Sequence, residues 1–524
     1  MGDKSTTEYA PGNGADTSEA ATSRRDREPS VSSRDLDDTY ELYRRQDTTE
    51  LDPEEARQVL RKIDWHILPL LMVTFMLQYL DKSSINFASV FGLRQGTNLH
   101  GQQYAWLSSI FYFGYLIAQW PAGYLLQRLP LGKFIGITAI IWGILAITTP
   151  ACKNFAGIAA NRFLLGCFEA VVGPGFVLII SMWWRQDEQP MRLMAYGCMD
   201  GIGGTFGGLL GYAIGHITSG LAPWMYIFLI FGSISLTWGI VFLVFMPDIP
   251  STAWFLNERQ RIVAVERVAM NRQGVKNHHF KTYQMWQCLK DPKTWILFIM
   301  AMAAAIPNAA HLSFMSIILE AFGFDAHETQ YMQIPRCVIQ ASSFLLFGWI
   351  SSRFPNTRCA GMLACNLISV GCGVALVVLP VGADGTDNKW GRLVALWLSA
   401  FSAVPFGMSL TMVSSNVAGY TKKQLTGAFL FVGYCVGNII SPQTFIDSEA
   451  PFYTSAYIAI LVGFSVKTVM VVVLLLYMWS VNKKRDREAA ISGSGLTEEQ
   501  VREAIELGMQ DVTELDNKGF RYAL

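Results

Sequence analysis

The sequence predicts an all-α membrane protein of twelve transmembrane helices in two six-helix bundles. Three observations carry that prediction. The chain of 524 residues is 51% hydrophobic and only 16% charged, where soluble chains average about a quarter charged. Its apolar residues gather in blocks long enough to cross the hydrocarbon, which takes ~20 residues of helix. The blocks fall into six, a polar break, and six.

Taken in order, residues 1–65 are rich in Asp, Glu, Arg, Ser and Thr and hold no apolar core. They read as a largely disordered tail without a cleavable signal, so the first span is expected to act as the insertion signal. Spans are predicted near 66–90, 103–126, 132–151, 157–183, 193–215 and 223–246, making a first bundle over 66–246. The break at 247–292 contains TAWFLNERQRIVAVERVAMNRQ. That pattern suits a helix lying along the membrane surface, with a soluble linker as the alternative. Six more spans follow near 293–319, 329–351, 358–380, 392–414, 425–446 and 453–480, then a tail over 481–524.

Lys and Arg concentrate in alternate short connections: Arg128 and Lys133, Arg185 and Arg192, Arg353 and Arg358, Lys422 and Lys423. The connections at 320–328 and 445–452 carry Glu320, Asp325, Glu328, Asp447 and Glu449 with no Lys or Arg. The positive-inside rule then places both termini in the cytoplasm.

Several function classes are excluded. Net charge is zero, giving no bias toward nucleic acid. The nine cysteines show no CxxC or Cys/His spacing and read as small apolar fillers, so no metal is expected. The glycines of DGIGGTFGGLLGYAIG fail the dinucleotide pattern because Phe206 stands at its last position. Gly203, Gly207, Gly211 and Gly215 instead recur every four residues, the spacing that lets helices pack closely. With no Walker loop or nucleophile elbow, neither an enzyme, a cofactor nor an ATP-driven pump is indicated.

An internal repeat supports the two halves. GYLLQRLPLGKFIG (123–136) and GWISSRFPNTRCAG (348–361) place Gly, a basic residue, a second basic residue and Gly in matching order after the second span of each half. Gly123, Arg128, Gly132, Lys133, Arg353 and Arg358 are therefore candidates for a conformational loop. Duplication of this kind is the plan of a secondary transporter with its binding site at the midplane.

The basic loop between spans two and three resembles the best-known signature of the major facilitator superfamily. LRKIDWHILPLL, QYLDKSSINFASVFGL, NRFLLGCFEAVVGPGF, MWWRQDEQPMR, SNVAGYTKKQLTGAFLFVGYCVGNIISPQTF and the final DVTELDNKGFRYAL are similar to the fungal allantoate permease-like group of anion:cation symporters. The resemblance runs from about residue 55 to 524. It implies proton-linked uptake of a small carboxylate (allantoate, ureidosuccinate, nicotinate or a related vitamin) across the fungal plasma membrane. Two positions depart from the pattern. Gln127 replaces the superfamily's usual acidic residue. Arg336 stands where the group would carry an uncharged residue, and a new cation in the pathway can change which anion fits.

Ionisable residues at bilayer depth cost ~2.5–3.5 kcal/mol on insertion scales and usually face a functional interior. Glu169 lies ~18 Å into span four, near the midplane, as a proton-coupling acid or the partner of a neighbouring cation. Arg162, ~10.5 Å away along the same helix, shares its face and could contact substrate. Asp81 reaches a similar depth from span one; an Asp81–Arg162 pair acting as an outer gate and a plain structural pair are both open. Lys82 is expected to face another way or to snorkel. Arg336 suits bidentate carboxylate binding, with an interhelical salt bridge as the alternative. His311 could relay protons or pack, and Asp200 could be a second proton site or the partner of a cation. Asn416, Asn438 and Gln443 could bond substrate or join helices, and Lys467 is expected to snorkel. The reading is a monomeric, alternating-access symporter of a small organic anion and protons in a lipid bilayer. An exporter of an acidic fungal metabolite and a non-transporting nutrient sensor are the alternatives.

Overall fold

Every predicted span is helical. The computed structural model describes residues 53–185, 188–217, 220–269, 281–354, 356–380, 387–491, 512–517 and 519–524, and no strand occurs among them. Nine helices among the described residues are long and apolar enough to cross a membrane. The remaining three predicted spans are helices of another make. Span two, Gln103–Arg128, mixes serines, glutamines and Pro121 into its apolar run. Span five divides into Gln189–Gly197 and Met199–Gly215. Span seven breaks at Pro307 into Pro292–Ala305, Asn308–Leu312 and Met315–Ala321.

The predicted tail lies outside the described residues as far as residue 52. The first helix, Pro53–Ala88, begins thirteen positions before the predicted residue 66. Proline in the first turn and Glu54 and Glu55 beside it favour a start there, because fixed φ and negative charge suit a helix N-terminus. Within the polar break a helix runs over Glu258–Ala269; residues 270–280 lie outside the described residues. It is tied to the first bundle by Arg267 Nη2 to Glu188 Oε1 at 2.6 Å and Arg259 Nη2 to Glu55 Oε2 at 2.8 Å.

The connections rich in Lys and Arg lie at one end of the bundles, the basic end; the far end carries the acidic connections. At the basic end the backbone amides of Gly132 and Lys133 donate to Asp248 Oδ1 at 3.0 and 3.3 Å. A Cβ at residue 132 would stand 2.9 Å from the Met246 carbonyl, so that loop needs glycine there. Its counterpart in the second half is Arg358, whose Nη1 donates to Ser415 Oγ at 2.6 Å. Gly123 meets nothing within 4 Å of its Cβ position, and Arg128 and Arg353 are exposed.

The seam between the bundles is cut in glycine. Along span five, a Cβ on Gly207 would sit 2.6 Å from the Phe87 ring of span one. On the other side, a Cβ on Gly201 would lie 2.3 Å from the Cys337 carbonyl of span eight, and on Gly208 2.6 Å from the Gln330 carbonyl. The small-residue spacing thus lets one helix touch both its own bundle and the other.

Candidate functional site

Span four explains its own odd sequence. Helix Phe155–Glu169 stops, and helix Val172–Trp183 begins after Ala170 and Val171. Pro174 has no N–H to give the carbonyl four residues earlier, at Ala170, and its ring crowds that carbonyl. The break therefore falls directly after Glu169.

Glu169 is fully buried, and neither carboxylate oxygen has a hydrogen-bond partner within 3.5 Å. Its ion-pair partner is Lys82, with Nζ 3.7 Å from Oε2. That ammonium also lies 5.5 Å from the Tyr115 ring centre and 6.0 Å from Phe111, at the range where aromatic faces attract cations. Lys82 thus turns inward, contrary to the expectation that it snorkels or faces elsewhere. The reason is the ~100° step between successive helical residues, which sends Asp81 toward span six and Lys82 toward spans two and four.

The expected Asp81–Arg162 ion pair is not formed. Asp81 Oδ2 accepts from Ser235 Oγ at 2.5 Å. Arg162 instead reaches the Asp81 backbone carbonyl at 3.5 Å and Ser84 Oγ at 3.1 Å, with its guanidinium 5.5 Å from the Phe228 ring. Among the described residues it makes no ion pair within 4 Å.

Lys82 and Arg162 line one small cavity of about 20 Å³ together with Ser108, Phe111 and Tyr112 of span two and Leu312 and Ser313 of span seven. That space holds roughly one water. It is closed toward the far end by polar contacts between the bundles: Tyr104 OH to the Ser313 carbonyl at 2.6 Å, Asn86 Nδ2 to Gln333 Oε1 at 2.8 Å, and Arg94 Nη2 to Asp447 Oδ1 at 2.6 Å.

The other expected residues sit elsewhere. Arg336 is buried but does not line this cavity; it donates to Gln340 Oε1 at 3.2 Å and to Tyr79 OH of span one at 3.3 Å. Asp200 begins Met199–Gly215 beside that seam, within electrostatic reach of Lys82 and Arg336. His311 bonds Ser399 Oγ at 2.9 Å inside the second bundle. Asn438 accepts from Asn308 Nδ2 at 2.8 Å, and Gln443 donates across the seam to Ser109 Oγ at 2.9 Å. Asn416 is far along span ten at the basic end, with its amide bonded both ways to the backbone of Ala523. Of the two readings open for it, this contact is the one that joins parts of the chain. Lys467 is fully buried and donates to the Ser402 carbonyl at 2.9 Å rather than snorkelling. The face of span two that meets Lys82 was missed in the sequence. Ser108, Phe111, Tyr112 and Tyr115 recur at helical spacing there, and that was the available signal.

At the basic end, Asp291 caps span seven and meets Lys422 Nζ at 2.8 Å and Lys293 Nζ at 3.5 Å. Burial acts to raise the Asp291 carboxyl, but Lys293 and Lys422 outweigh it and hold its pKa below the usual carboxylate value. Burial raises the Tyr522 phenol, which therefore stays protonated.

Nine membrane-length helices among the described residues, and a small cavity lined by Lys82 and Arg162, make this a multi-pass helical membrane protein. The Major Facilitator Superfamily profile matches residues 71–442, and the chain belongs to that superfamily. It is 33% identical to the allantoate permease of Saccharomyces cerevisiae over 93% of this chain and 90% of that one. It is 34% identical to an uncharacterised transporter of Schizosaccharomyces pombe over 90% and 88%. Among solved structures it resembles a D-xylose-proton symporter, with TM-score 0.57, 14% identity, and coverage of 79% of this chain and 97% of that one. At that identity the likeness concerns the fold. The chain is a transporter of the superfamily and not an enzyme.

Proposed function

We propose that the protein is a proton-coupled symporter of a small organic anion at the plasma membrane, with its basic end and both termini in the cytoplasm. The observation that carries this reading is that Lys82, which lines a small cavity with Arg162, is also the ion-pair partner of the buried Glu169. With Glu169 ionised, its charge occupies Lys82. A proton on Glu169 frees the ammonium, and a substrate carboxylate takes the vacated place between Lys82 and Arg162. Proton and anion then enter as a neutral pair, which lowers the cost of burying either charge. The allantoate permease relationship supports a carboxylate as substrate. Arg336, with Asp200 nearby, serves the seam between bundles rather than the clamp.

The test is uptake of a radiolabelled carboxylate panel, allantoate included, in yeast lacking its own permeases. The carboxylate taken up by the wild type then serves to compare variants. Lys82→Gln is expected to raise KM at least tenfold, and Glu169→Gln to abolish the dependence of uptake on external pH. A Glu169→Gln carrier with the wild-type pH profile would falsify the coupling role.

A further inference from the structure

Residues 512–517 and 519–524 lie against the basic end of the second bundle, and their contacts are those of a ligand in a socket. Glu514 is fully buried. Its Oε1 stands 2.6 Å from Lys293 Nζ and 2.5 Å from Lys422 Nζ, while Oε2 accepts from the Ala418 amide at 2.9 Å. Both lysines are themselves buried. Together with Asp291 they form a set of two cations and two anions, neutral only while Glu514 is in place. Without it, two buried ammonium groups would face one carboxylate, an imbalance that a water-poor interior resists.

The rest of the segment is held as specifically. Tyr522 OH accepts from Lys293 Nζ at 3.1 Å, and that ammonium lies 4.2 Å from its ring centre. The backbone of residue 522 is bonded both ways to Asn482, and that of residue 523 both ways to Asn416. Arg485 donates to the carbonyls of Phe520 and Glu514 at 2.7 Å. Thr513 donates to Gln287 Oε1 at 2.7 Å and packs against Gly419, where φ is +83° and a Cβ would stand 2.9 Å from its methyl. The anchors come from span seven, the end of span ten, the start of span eleven, the extension of span twelve and helix Thr282–Lys290.

We propose that residues 512–517 and 519–524 are a tethered peptide ligand that delivers the Glu514 carboxylate to the Lys293–Lys422 socket. Its occupancy clamps the basic-end termini of spans seven, ten, eleven and twelve into one body. Alternating access rocks bundles as units, and the socket is where the second bundle's four helix ends would otherwise part. The proposal is independent of which substrate is carried.

The experiment is amide hydrogen exchange on the full chain in nanodiscs, comparing wild type, Glu514→Gln and Glu514→Gln/Lys422→Gln. The wild type is expected to protect the amides of Tyr522, Ala523 and Ala418. Glu514→Gln should speed their exchange at least tenfold while span four keeps its protection. The double variant, which restores charge balance, should recover protection at Ala418. Free exchange of Tyr522 and Ala523 in the wild type overturns the proposal, as does unchanged protection in Glu514→Gln. A double variant no better than the single removes the charge-matching basis. Should Glu514→Gln not reach the membrane, Tyr522→Phe serves instead. It deletes one bond to Lys293 and should speed exchange across 519–524 several-fold; unchanged exchange overturns the proposal.

Discussion

At the scale of single residues, the molecule places its buried charges in two separate groups of opposite logic. Beside the cavity, Lys82 and Glu169 are 3.7 Å apart with no hydrogen bond to the carboxylate, a loose pair suited to being broken and remade. At the basic end, Lys422, Lys293, Asp291 and Glu514 contact one another at 2.5–3.5 Å, a tight set suited to staying closed. Removing one member of such a buried set costs about 3–5 kcal/mol. The pH dependence follows from Asp291. Because its folded pKa is depressed, its stabilisation is fully present above the unfolded carboxylate value of about 4 and is lost as pH falls through the lower folded value. Thermal unfolding in detergent should therefore show Asp291→Asn below wild type by a constant gap from pH 8 to pH 5. The gap should close under pH 4. A gap that closes between pH 8 and pH 5 contradicts the depressed pKa.

At the scale of elements, two devices shape the helices. Proline breaks spans four and seven next to the cavity, after Glu169 and before Ser313. Glycine on span five lets the bundles approach until a Cβ at residue 208 would lie 2.6 Å from the Gln330 carbonyl. A bulky side chain there must push the seam open, and overpacking of this kind costs about 1–3 kcal/mol. Gly208→Leu is expected to reach the cell surface and lose at least nine-tenths of its transport. Gly371→Ala, whose added methyl meets nothing within 4 Å, should transport as wild type. Equal activity of the two variants would show that the seam tolerates separation.

At the scale of the whole molecule, closure at the far end rests on contacts between bundles, among them Arg94–Asp447 at 2.6 Å. Both side chains are about one-third or more exposed, 33% and 40%, so the pair is worth at most about 1 kcal/mol. A latch of that strength can be opened within each cycle. Asp447→Asn should shift the population toward the state open at the far end by up to about fivefold. Labelling rates of a cysteine placed at Ser313, which lines the cavity, measure the shift; a rate equal to wild type argues against a latch.

The sequence alone determined the order of the helices, the all-α class and the placing of Glu169 and Arg162 on one helix. These depend on local composition and on a helical rise of 1.5 Å per residue, quantities that a linear chain carries openly. The break in span four is likewise local, because proline acts within four residues of itself. Only the tertiary structure decided which charge meets which. Asp81 and Arg162 have suitable signs and depths, yet the turn of span one gives Asp81 to Ser235 and Lys82 to Glu169. Asn416 reads as a polar residue at the end of a span, but it bonds a backbone 107 residues away. Such pairings depend on which faces of distant helices are packed together, and residue spacing along one helix does not encode that rotation.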